Sequence, residues 1–323
     1  MRSRHVDVLI DLDQVRAQAE AIREQTRVAL IAVIKADAYG LGAVRVADAL
    51  GSVADDFAYF SLSEAREVGR PGIVLGPVEG EPAEYRELSL RPTIGTLKDA
   101  RDFAELPVAV ELDTGMQRMG CGVGELESIL EQSCVHELYT HASAMESVRR
   151  LVQANRGRFR AHAASTSLLG EPEAWLDAVR PGCALYRSAV RVSTRLHLVR
   201  AAQGPVGYTG FRAPHVGVIL AGYSHGLAPG PVRINGQRQR ILETGMNTSF
   251  VSVDPADRAG DEVLLLGDGL AEAEVAAALG IREHAVLCRY CAAGPRRYAV
   301  SASLRATGSR DTTRSSAPGP QRT

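Results

Sequence analysis

Lysine is nearly absent from this sequence, although basic residues are not scarce. The chain of 323 residues contains 37 lysines and arginines, of which only Lys35 and Lys98 are lysine. Arginine therefore supplies the surface cations, and a lysine needs an explanation that a guanidinium cannot give. Lys35 ends an apolar run in "ALIAVIKADAYGLGA", residues 29–43. We therefore take it as the first candidate for a functional residue.

Strong net charge and long apolar runs are also missing. The formal net charge of −1 and the pI near 6.7 leave no footprint for binding nucleic acid or an anionic membrane. No apolar run approaches the roughly 18 residues of a membrane span. The start, "MRSRHVDVLIDLDQ", reaches Asp7 and Asp11 before any apolar stretch of signal-peptide length. We expect a protein without a membrane segment or a secretion signal.

The cysteines do not form a disulfide framework. Their number, five, is odd and their spacing is irregular, which favours a reduced, cytoplasmic environment. Cys288 and Cys291 form a lone C-x-x-C, but two further ligands at zinc spacing are lacking. We predict no metal site.

Short apolar runs alternate with helical patterns over the first two thirds of the chain. The predicted strands cover residues 29–34, 57–62, 72–76, 107–112 and 136–141, and the predicted helices cover 12–25, 63–69, 96–105 and 123–132. This alternation predicts βα units and a parallel sheet, either a barrel or a doubly wound sheet. In a parallel barrel, catalytic residues collect at the carboxyl ends of the strands. Lys35, Asp113 and His141 all fall at such ends.

After about residue 188 the pattern becomes one of strands closed by glycine, asparagine and aspartate turns. The predicted strands cover residues 215–223, 230–236, 237–245, 249–254 and 261–267, and a helix is predicted over 271–280. This pattern predicts an antiparallel β domain. The tail, residues 307–323, has almost no apolar residues, and we expect it to be disordered.

Two interpretations of Lys35 follow from its position alone. It could be a structural side chain that extends along a barrel rim. It could also be a nucleophile, because a primary amine forms a Schiff base with an aldehyde and partial burial supplies the free-base form. Arginine can neither form a Schiff base nor supply a free base at physiological pH.

Several motifs decide between these interpretations. The segments, in chain order, are "IDLDQVRAQ" (10–18), "AVIKADAYGLG" (32–42), "ELDTGMQRMG" (111–120), "LYTHASAME" (138–146), "DAVRPGCALYR" (177–187), "AGYSHGL" (221–227) and "ETGMNTSFVSV" (243–253). Together they resemble the motifs of the alanine racemase family, which depends on pyridoxal 5′-phosphate (PLP). The resemblance implies an N-terminal (β/α)8 TIM-type barrel that binds PLP, a C-terminal mainly antiparallel β domain, and a head-to-tail homodimer with shared active sites.

The domain boundaries follow from this resemblance and from the change in pattern. We expect the barrel over residues 1–190, with residues 1–11 as a candidate strand of the other domain. The β domain is expected over 191–306, followed by the tail at 307–323.

Four residues are implied to be catalytic. By resemblance, Lys35 binds PLP and acts as a base on one face of the substrate Cα. Tyr223 is the second base, contributed by the partner subunit. His141 links Tyr223 to Arg180, whose guanidinium would face the pyridine nitrogen and favour proton exchange over transamination. Without the family context, Tyr223 would be a packed turn residue, His141 a satisfied strand-end residue and Arg180 one half of a rim ion pair.

The remaining site residues bind cofactor or substrate in the same comparison. The implied phosphate contacts are Tyr39, Thr166, Gly182, Cys183 and His284. For the substrate, Arg118 would hold the carboxylate and Met246 would line the pocket of the partner subunit. Glu111 stands where many family members have a lysine, often carbamylated, and its carboxylate could position Arg118 by ion pairing.

Some positions depart from the family. His284 replaces a phosphate-binding tyrosine, Ser165 replaces an asparagine, and Asn247 and His225 each replace an aspartate. A titratable histidine at 284 predicts a PLP affinity that falls with rising pH. Several of these changes border the partner-subunit pocket, so the sequence does not identify the side chain of the substrate.

The sequence therefore predicts a cytoplasmic racemase of alanine, or of a similar small amino acid such as serine, with D-alanine supply for the cell wall as the default role. Three alternatives remain at this point. They are a specialised racemase of a secondary-metabolite pathway, a non-catalytic PLP-binding paralogue, and a related decarboxylase with the same two domains. Arg180 and Tyr223 argue against the decarboxylase.

Overall fold

The structure, a computed structural model, describes residues 5–299. Its strands are β1 (Asp7–Asp11), β2 (Ala29–Val33), β3 (Asp56–Tyr59), β4 (Gly72–Val74), β5 (Leu90–Ile94), β6 (Pro107–Glu111), β7 (Cys134–Tyr139), β8 (Arg160–His162), β9 (Ala178–Val179), β10 (Val190–Ala201), β11 (His215–Ile219), β12 (Gly230–Ile234), β13 (Gln237–Thr244), β14 (Ser249–Val251), β15 (Glu262–Leu266) and β16 (Arg296–Ala299). The predicted tail lies outside the described residues.

The helices follow the strands in regular alternation through the first half. They are α1 (Leu12–Thr26), α2 (Lys35–Tyr39), α3 (Ala43–Leu50), α4 (Leu62–Val68), α5 (Pro82–Glu87), α6 (Leu97–Asp102), α7 (Val123–Glu131), α8 (Met145–Asn155), α9 (Cys183–Tyr186), α10 (Glu272–Leu279) and α11 (Glu283–Cys291). Among the described residues, no helix has both the length and the apolar character needed to cross a membrane.

Strands β2 to β9 close into a parallel barrel. Each strand pairs with the next, and β9 pairs with β2 to complete the ring. The interior is filled by small and branched side chains such as Ile31, Val33 and Ile73. This arrangement confirms the predicted TIM-type barrel and excludes the doubly wound sheet.

The second sheet has eight strands in the order β11-β14-β13-β12-β15-β10-β1-β16. Most of its pairs are antiparallel, which confirms the predicted fold of the β domain. The first strand, β1, lies in this sheet rather than in the barrel, antiparallel to β10 and parallel to β16. Both ends of the described chain therefore meet beside the barrel.

A network of charges is buried inside the barrel beneath the site. Glu137 on β7 is fully buried and bonds to Arg91 at 2.7 Å and to His162 at 3.0 Å. Arg160 approaches the same carboxylate at 3.4 Å, and Arg91 also pairs with Asp56. Burial alone would raise the pKa of Glu137, but its bonds and charges with His162 and Arg91 lower the pKa well below the usual range. These buried groups therefore form hydrogen bonds and ion pairs with one another in place of contacts with solvent.

Candidate active site

The predicted strand-end residues meet in a pocket at the carboxyl edge of the barrel. Lys35 follows β2, His141 follows β7, and Arg180 follows β9 directly. The pocket is lined by Lys35, Phe60, Leu75, Arg118, Met119, Tyr139, His141 and Arg180. A TIM-type barrel presents its chemistry at this edge.

Lys35 is partly buried and faces two guanidinium groups. Its pKa is lowered, first by burial and then by the charges of Arg118 and Arg180. Glu64 and Glu111 act in the opposite direction but do not restore the pKa. The pocket therefore increases the fraction of free amine, the form that attacks an aldehyde.

The backbone after Lys35 has a left-handed conformation. Four consecutive residues, Ala36 to Tyr39, have φ between 52° and 58°, so α2 is a left-handed turn. Such backbone costs about 1–2 kcal/mol for each residue with a side chain. The turn places Tyr39 against Tyr186, with ring centroids 5.2 Å apart. Nothing in the motif itself predicts this geometry.

Arg180 is buried and only partly satisfied. One terminal nitrogen donates to the Thr140 carbonyl at 2.6 Å, and the guanidinium lies 4.5 Å from the centre of the Tyr139 ring. Its Nε has no hydrogen-bond partner among the described residues. A buried donor without a partner costs free energy, so this atom fits a ligand that brings an acceptor. The pyridine nitrogen of PLP is such an acceptor.

His141 lies close to three positive groups. Its pKa is lowered to about 4, by burial first and then by the charges of Arg180, Arg118 and Lys35. The imidazole is therefore neutral at physiological pH and can both donate and accept a hydrogen bond. This is the state that a relay between Arg180 and a second base requires.

Glu111 and Arg118 form the ion pair that the sequence predicts. Their side chains approach to 3.5 Å, with Glu111 buried and Arg118 partly exposed. One carboxylate oxygen, Oε2, has no partner among the residues described. Asp113 accepts bonds from the amides of Gly115 at 2.7 Å and Gln117 at 3.1 Å, so it shapes the turn that carries Arg118.

A small cradle lies beside the lysine. The Thr166 hydroxyl accepts bonds from the amides of Gly182 at 3.3 Å and Ala184 at 3.1 Å. A Cβ on Gly182 would lie 2.2 Å from the Tyr39 hydroxyl, so only glycine permits this close approach of Tyr39 to the backbone. Cys183 follows at the start of α9, and burial raises the pKa of its thiol to about 11.

His284 completes the cradle from the β domain. It lies on α11, and its ring meets the Tyr39 ring edge-on with centroids 6.4 Å apart. The structure therefore brings together all five residues predicted to contact a phosphate. The close backbone approach at Gly182 and the unpartnered Arg180 donor both fit PLP.

Tyr223 and Met246 lie elsewhere. Both are on the β domain, 54% and 57% exposed, and neither lines the pocket around Lys35. The two are joined through the backbone, since Tyr223 N donates to Gly245 O at 2.9 Å and Ser224 N donates to Met246 O at 3.0 Å. Their roles remain predictions that require a second subunit.

His225 and Asn247, which differ from the residues of the family, are linked through Ser224. The Ser224 hydroxyl donates to Asn247 Oδ1 at 2.8 Å and lies 3.0 Å from His225 Nδ1. His225 Nδ1 also accepts from the Gly222 amide at 3.1 Å. These polar contacts hold the turn at Tyr223 without the aspartates of the family.

Glu64 is a site residue that the sequence did not identify. Its carboxylate accepts from the amides of Ala36 at 2.8 Å and Phe60 at 2.7 Å. The residue lies in a predicted surface helix, and no local signal distinguishes it from a solvated carboxylate. Tyr139 was missed as well, because it reads as one more aromatic residue of a buried strand.

Comparison with known proteins agrees with this geometry. Residues 10–189 match the family "Alanine racemase, N-terminal domain" and residues 190–298 match "Alanine racemase, C-terminal domain". The chain is 31% identical to an alanine racemase of Thioalkalivibrio sulfidiphilus over an alignment of 341 positions. This alignment covers 86% of this chain and 94% of that protein.

Solved structures give the same result. The biosynthetic alanine racemase of Pseudomonas aeruginosa superposes with a TM-score of 0.82 at 26% identity, covering 92% of this chain and all of that one, 100%. The alanine racemase of Bartonella henselae with covalently bound pyridoxal phosphate has the same fold, with a TM-score of 0.82 at 21% identity, covering 92% of this chain and 100% of that one. With both domains matched in order, the chain belongs to the alanine racemase family.

Proposed function

We propose that this protein is a PLP-dependent racemase that interconverts L- and D-alanine, or a similar small amino acid such as serine. The observation that carries the proposal is the partly buried amine of Lys35, which shares a pocket with the guanidinium groups of Arg118 and Arg180. Family membership supports the reaction class, and the pocket contains Lys35 as one of the two bases that the reaction needs.

When bound, PLP would supply an electron-accepting ring conjugated to the amino group of the substrate, which acidifies the Cα proton. Lys35 would anchor the cofactor and would move the proton on one face of Cα. Tyr39, Thr166, Gly182, Cys183 and His284 would hold the phosphate. Arg180 would meet the ring nitrogen with a permanent cation, which limits the spread of carbanion charge and favours proton exchange.

Substrate binding is assigned to Arg118. Its guanidinium is partly exposed in the pocket and is held by the buried Glu111. Such a cation binds a carboxylate through charge-assisted hydrogen bonds. This contact would orient the Cα–H bond toward Lys35.

The second base is proposed to come from a head-to-tail homodimer. Racemisation needs a proton removed from one face and returned on the other, so a base is needed opposite Lys35. The exposure of Tyr223 and Met246 on the β domain supports a role in completing the pocket of another subunit. His141 would hydrogen-bond to Tyr223 of the partner subunit. Free thiols at all five cysteines support a cytoplasmic location.

Isotope exchange tests this function directly. In heavy water, L-alanine incubated with the PLP-loaded protein should gain deuterium at Cα and yield D-alanine. Lys35→Ala should abolish the exchange, and Tyr223→Phe should reduce conversion in both directions. Bound PLP with no Cα exchange on any amino acid would instead support the non-catalytic paralogue.

A specialised racemase is the second candidate. The Ser224, His225 and Asn247 contacts replace acidic groups beside the predicted partner-subunit pocket, which supports a substrate other than alanine. The exchange assay over a panel of small amino acids separates the two. A ratio of kcat/KM that favours alanine over serine supports a role in D-alanine supply.

A further inference from the structure

The left-handed turn α2 separates two residues that the proposed function places on the cofactor. Lys35 precedes Ala36, and Tyr39 is the fourth residue with positive φ. A run of non-glycine residues in this conformation persists only when its surroundings hold it. Whatever holds the turn therefore sets the separation of the amine and the cradle.

Part of the support comes from the barrel. Glu64 accepts the Ala36 amide at 2.8 Å, and Asp37 Oδ1 accepts the Ala43 amide at 2.7 Å, which closes the turn onto the start of α3. These contacts leave the second carboxylate oxygen of Asp37 and the carbonyl groups of Gly40 and Leu41 facing the β domain.

The last described strand, β16, satisfies these groups. Arg296 forms an ion pair with Asp37 Oδ2 and donates from the same nitrogen to Gly40 O at 2.8 Å. Two residues on, the Tyr298 hydroxyl donates to Leu41 O at 2.9 Å. Side chains alternate along a strand, so Arg296 and Tyr298 share one face, while Arg297 points the other way and pairs with Asp7 at 2.5 Å.

The approach of Tyr298 is close enough to require glycine opposite it. A Cβ on Gly42 would lie 2.2 Å from the Tyr298 hydroxyl, and Gly42 has φ of +105°. Gly40, with φ of +89°, would place a Cβ 3.0 Å from Cys291 on α11. The turn is therefore clamped by the β domain at both of its glycines.

We propose that Arg296 and Tyr298 are positioning residues that hold the left-handed turn and thereby set the affinity of the Lys35 site for PLP. This inference rests on the proposed function. It adds that residues at the carboxyl end of the described chain, far from Lys35 in sequence, control cofactor binding. Neither residue is among those that line the pocket.

Titration of the apo-protein with PLP tests the inference. The readouts are the dissociation constant from the absorbance of bound cofactor and the fraction of Lys35 modified after borohydride treatment. Arg296→Ala should weaken binding about tenfold, since it removes a charged pair and a second hydrogen bond together. Arg297→Ala, the matched control on the same strand, should change it less than about twofold because its exposed ion pair contributes little.

Two further variants keep the test decisive if Arg296→Ala does not fold. Asp37→Asn retains the bond from the Ala43 amide but removes the ion pair, and Arg296→Lys retains the charge but loses the second bond. Both should weaken PLP binding to an intermediate degree, and the melting temperature of the apo-protein should match that of Arg297→Ala.

Wild-type affinity in Arg296→Ala, or in both substitutes, would overturn the inference, as would equal weakening in Arg297→Ala. Wild-type protein that takes up no PLP would refute the proposed function and the inference with it. Only the first set of results leaves the racemase proposal intact.

Discussion

At the residue scale, the choice of lysine at position 35 is a chemical one. The pocket lowers the pKa of this amine by burial and by two neighbouring cations. A guanidinium would stay charged in this pocket and could not condense with an aldehyde. We expect Lys35→Arg to retain the fold and to lose covalent cofactor attachment and activity. Lys98→Arg is the matched control, because Lys98 is exposed and pairs with Asp102.

Activity and whole-protein mass after borohydride treatment measure this prediction. The control should keep wild-type values for both. Covalent PLP on the Lys35→Arg protein would show that the amine at 35 is not the attachment point.

A second residue-scale prediction concerns Glu111. Burial raises its pKa even though Arg118 and Arg180 favour the charged form. As pH falls through this raised pKa, Glu111 is protonated and no longer holds Arg118, so the KM for alanine should rise on the acid side. Glu111→Gln should raise KM about tenfold at neutral pH, with a smaller effect on kcat.

The pH profile of KM distinguishes this role from a general loss of structure. In Glu111→Gln the acid-side rise should disappear, because glutamine does not titrate. Glu20→Gln, which removes an exposed partner of Arg16, should leave the profile unchanged. An unchanged acid limb in Glu111→Gln would exclude Glu111 as its source.

The residue scale also shows what the sequence could not predict. Side-chain chemistry singled out Lys35, and the resemblance to the family implied Arg180 and the cradle residues, because the motifs that carry the resemblance are local. The left-handed turn at Ala36 to Tyr39 was not predicted, since alanine and tyrosine carry no signal for positive φ. Contacts with Arg296 and Tyr298 hold the turn, and they come from the other end of the described chain.

At the element scale, the apolar strands of the barrel were predicted and most of the polar ones were not. Predicted strands at 29–34, 57–62, 72–76, 107–112 and 136–141 are confirmed, with ends shifted by up to three residues. Strands β5, β8 and β9 of the barrel were missed, as were β10 and β16 of the second sheet. The first two carry Arg91, Arg160 and His162, which contact the buried carboxylate of Glu137, and β9 has only two residues. A pairing partner distant in sequence satisfies these residues, and no local pattern reveals it.

This buried network predicts a dependence of stability on pH. Because the pKa of Glu137 is lowered in the folded protein, its contribution is present above the ordinary glutamate pKa and is lost as pH falls below it. Glu137→Gln should reduce the free energy of unfolding by about 3 kcal/mol at neutral pH, since it removes the buried carboxylate that Arg91, Arg160 and His162 share.

Urea unfolding at several pH values measures the effect. Glu127→Gln removes an exposed partner of Arg158 and should cost less than about 1 kcal/mol. A neutral-pH loss for Glu137→Gln no larger than that of the control would show that the network does not stabilise the barrel.

At the scale of the whole molecule, the central question is the shared active site. Lys35 and Tyr223 lie on different domains, and Tyr223 does not line the Lys35 pocket. In a head-to-tail dimer, a Lys35→Ala subunit and a Tyr223→Phe subunit form one site with both changes and one intact site. Co-expression should therefore restore about a quarter of wild-type activity through random pairing.

Each variant expressed alone is the control and should show little activity. If the co-expressed protein is no more active than the two variants expressed alone, each subunit carries a complete site. Dimerisation itself can be followed by size-exclusion chromatography with light scattering.

The proposed chemistry requires a covalent bond between Lys35 and PLP. Borohydride reduction of the purified protein in the presence of PLP, followed by peptide mass spectrometry, locates that bond. We predict a reduced phosphopyridoxyl group on Lys35 and none on Lys98. A protein without the modification, or one modified only at Lys98, would show that Lys35 does not bind PLP covalently.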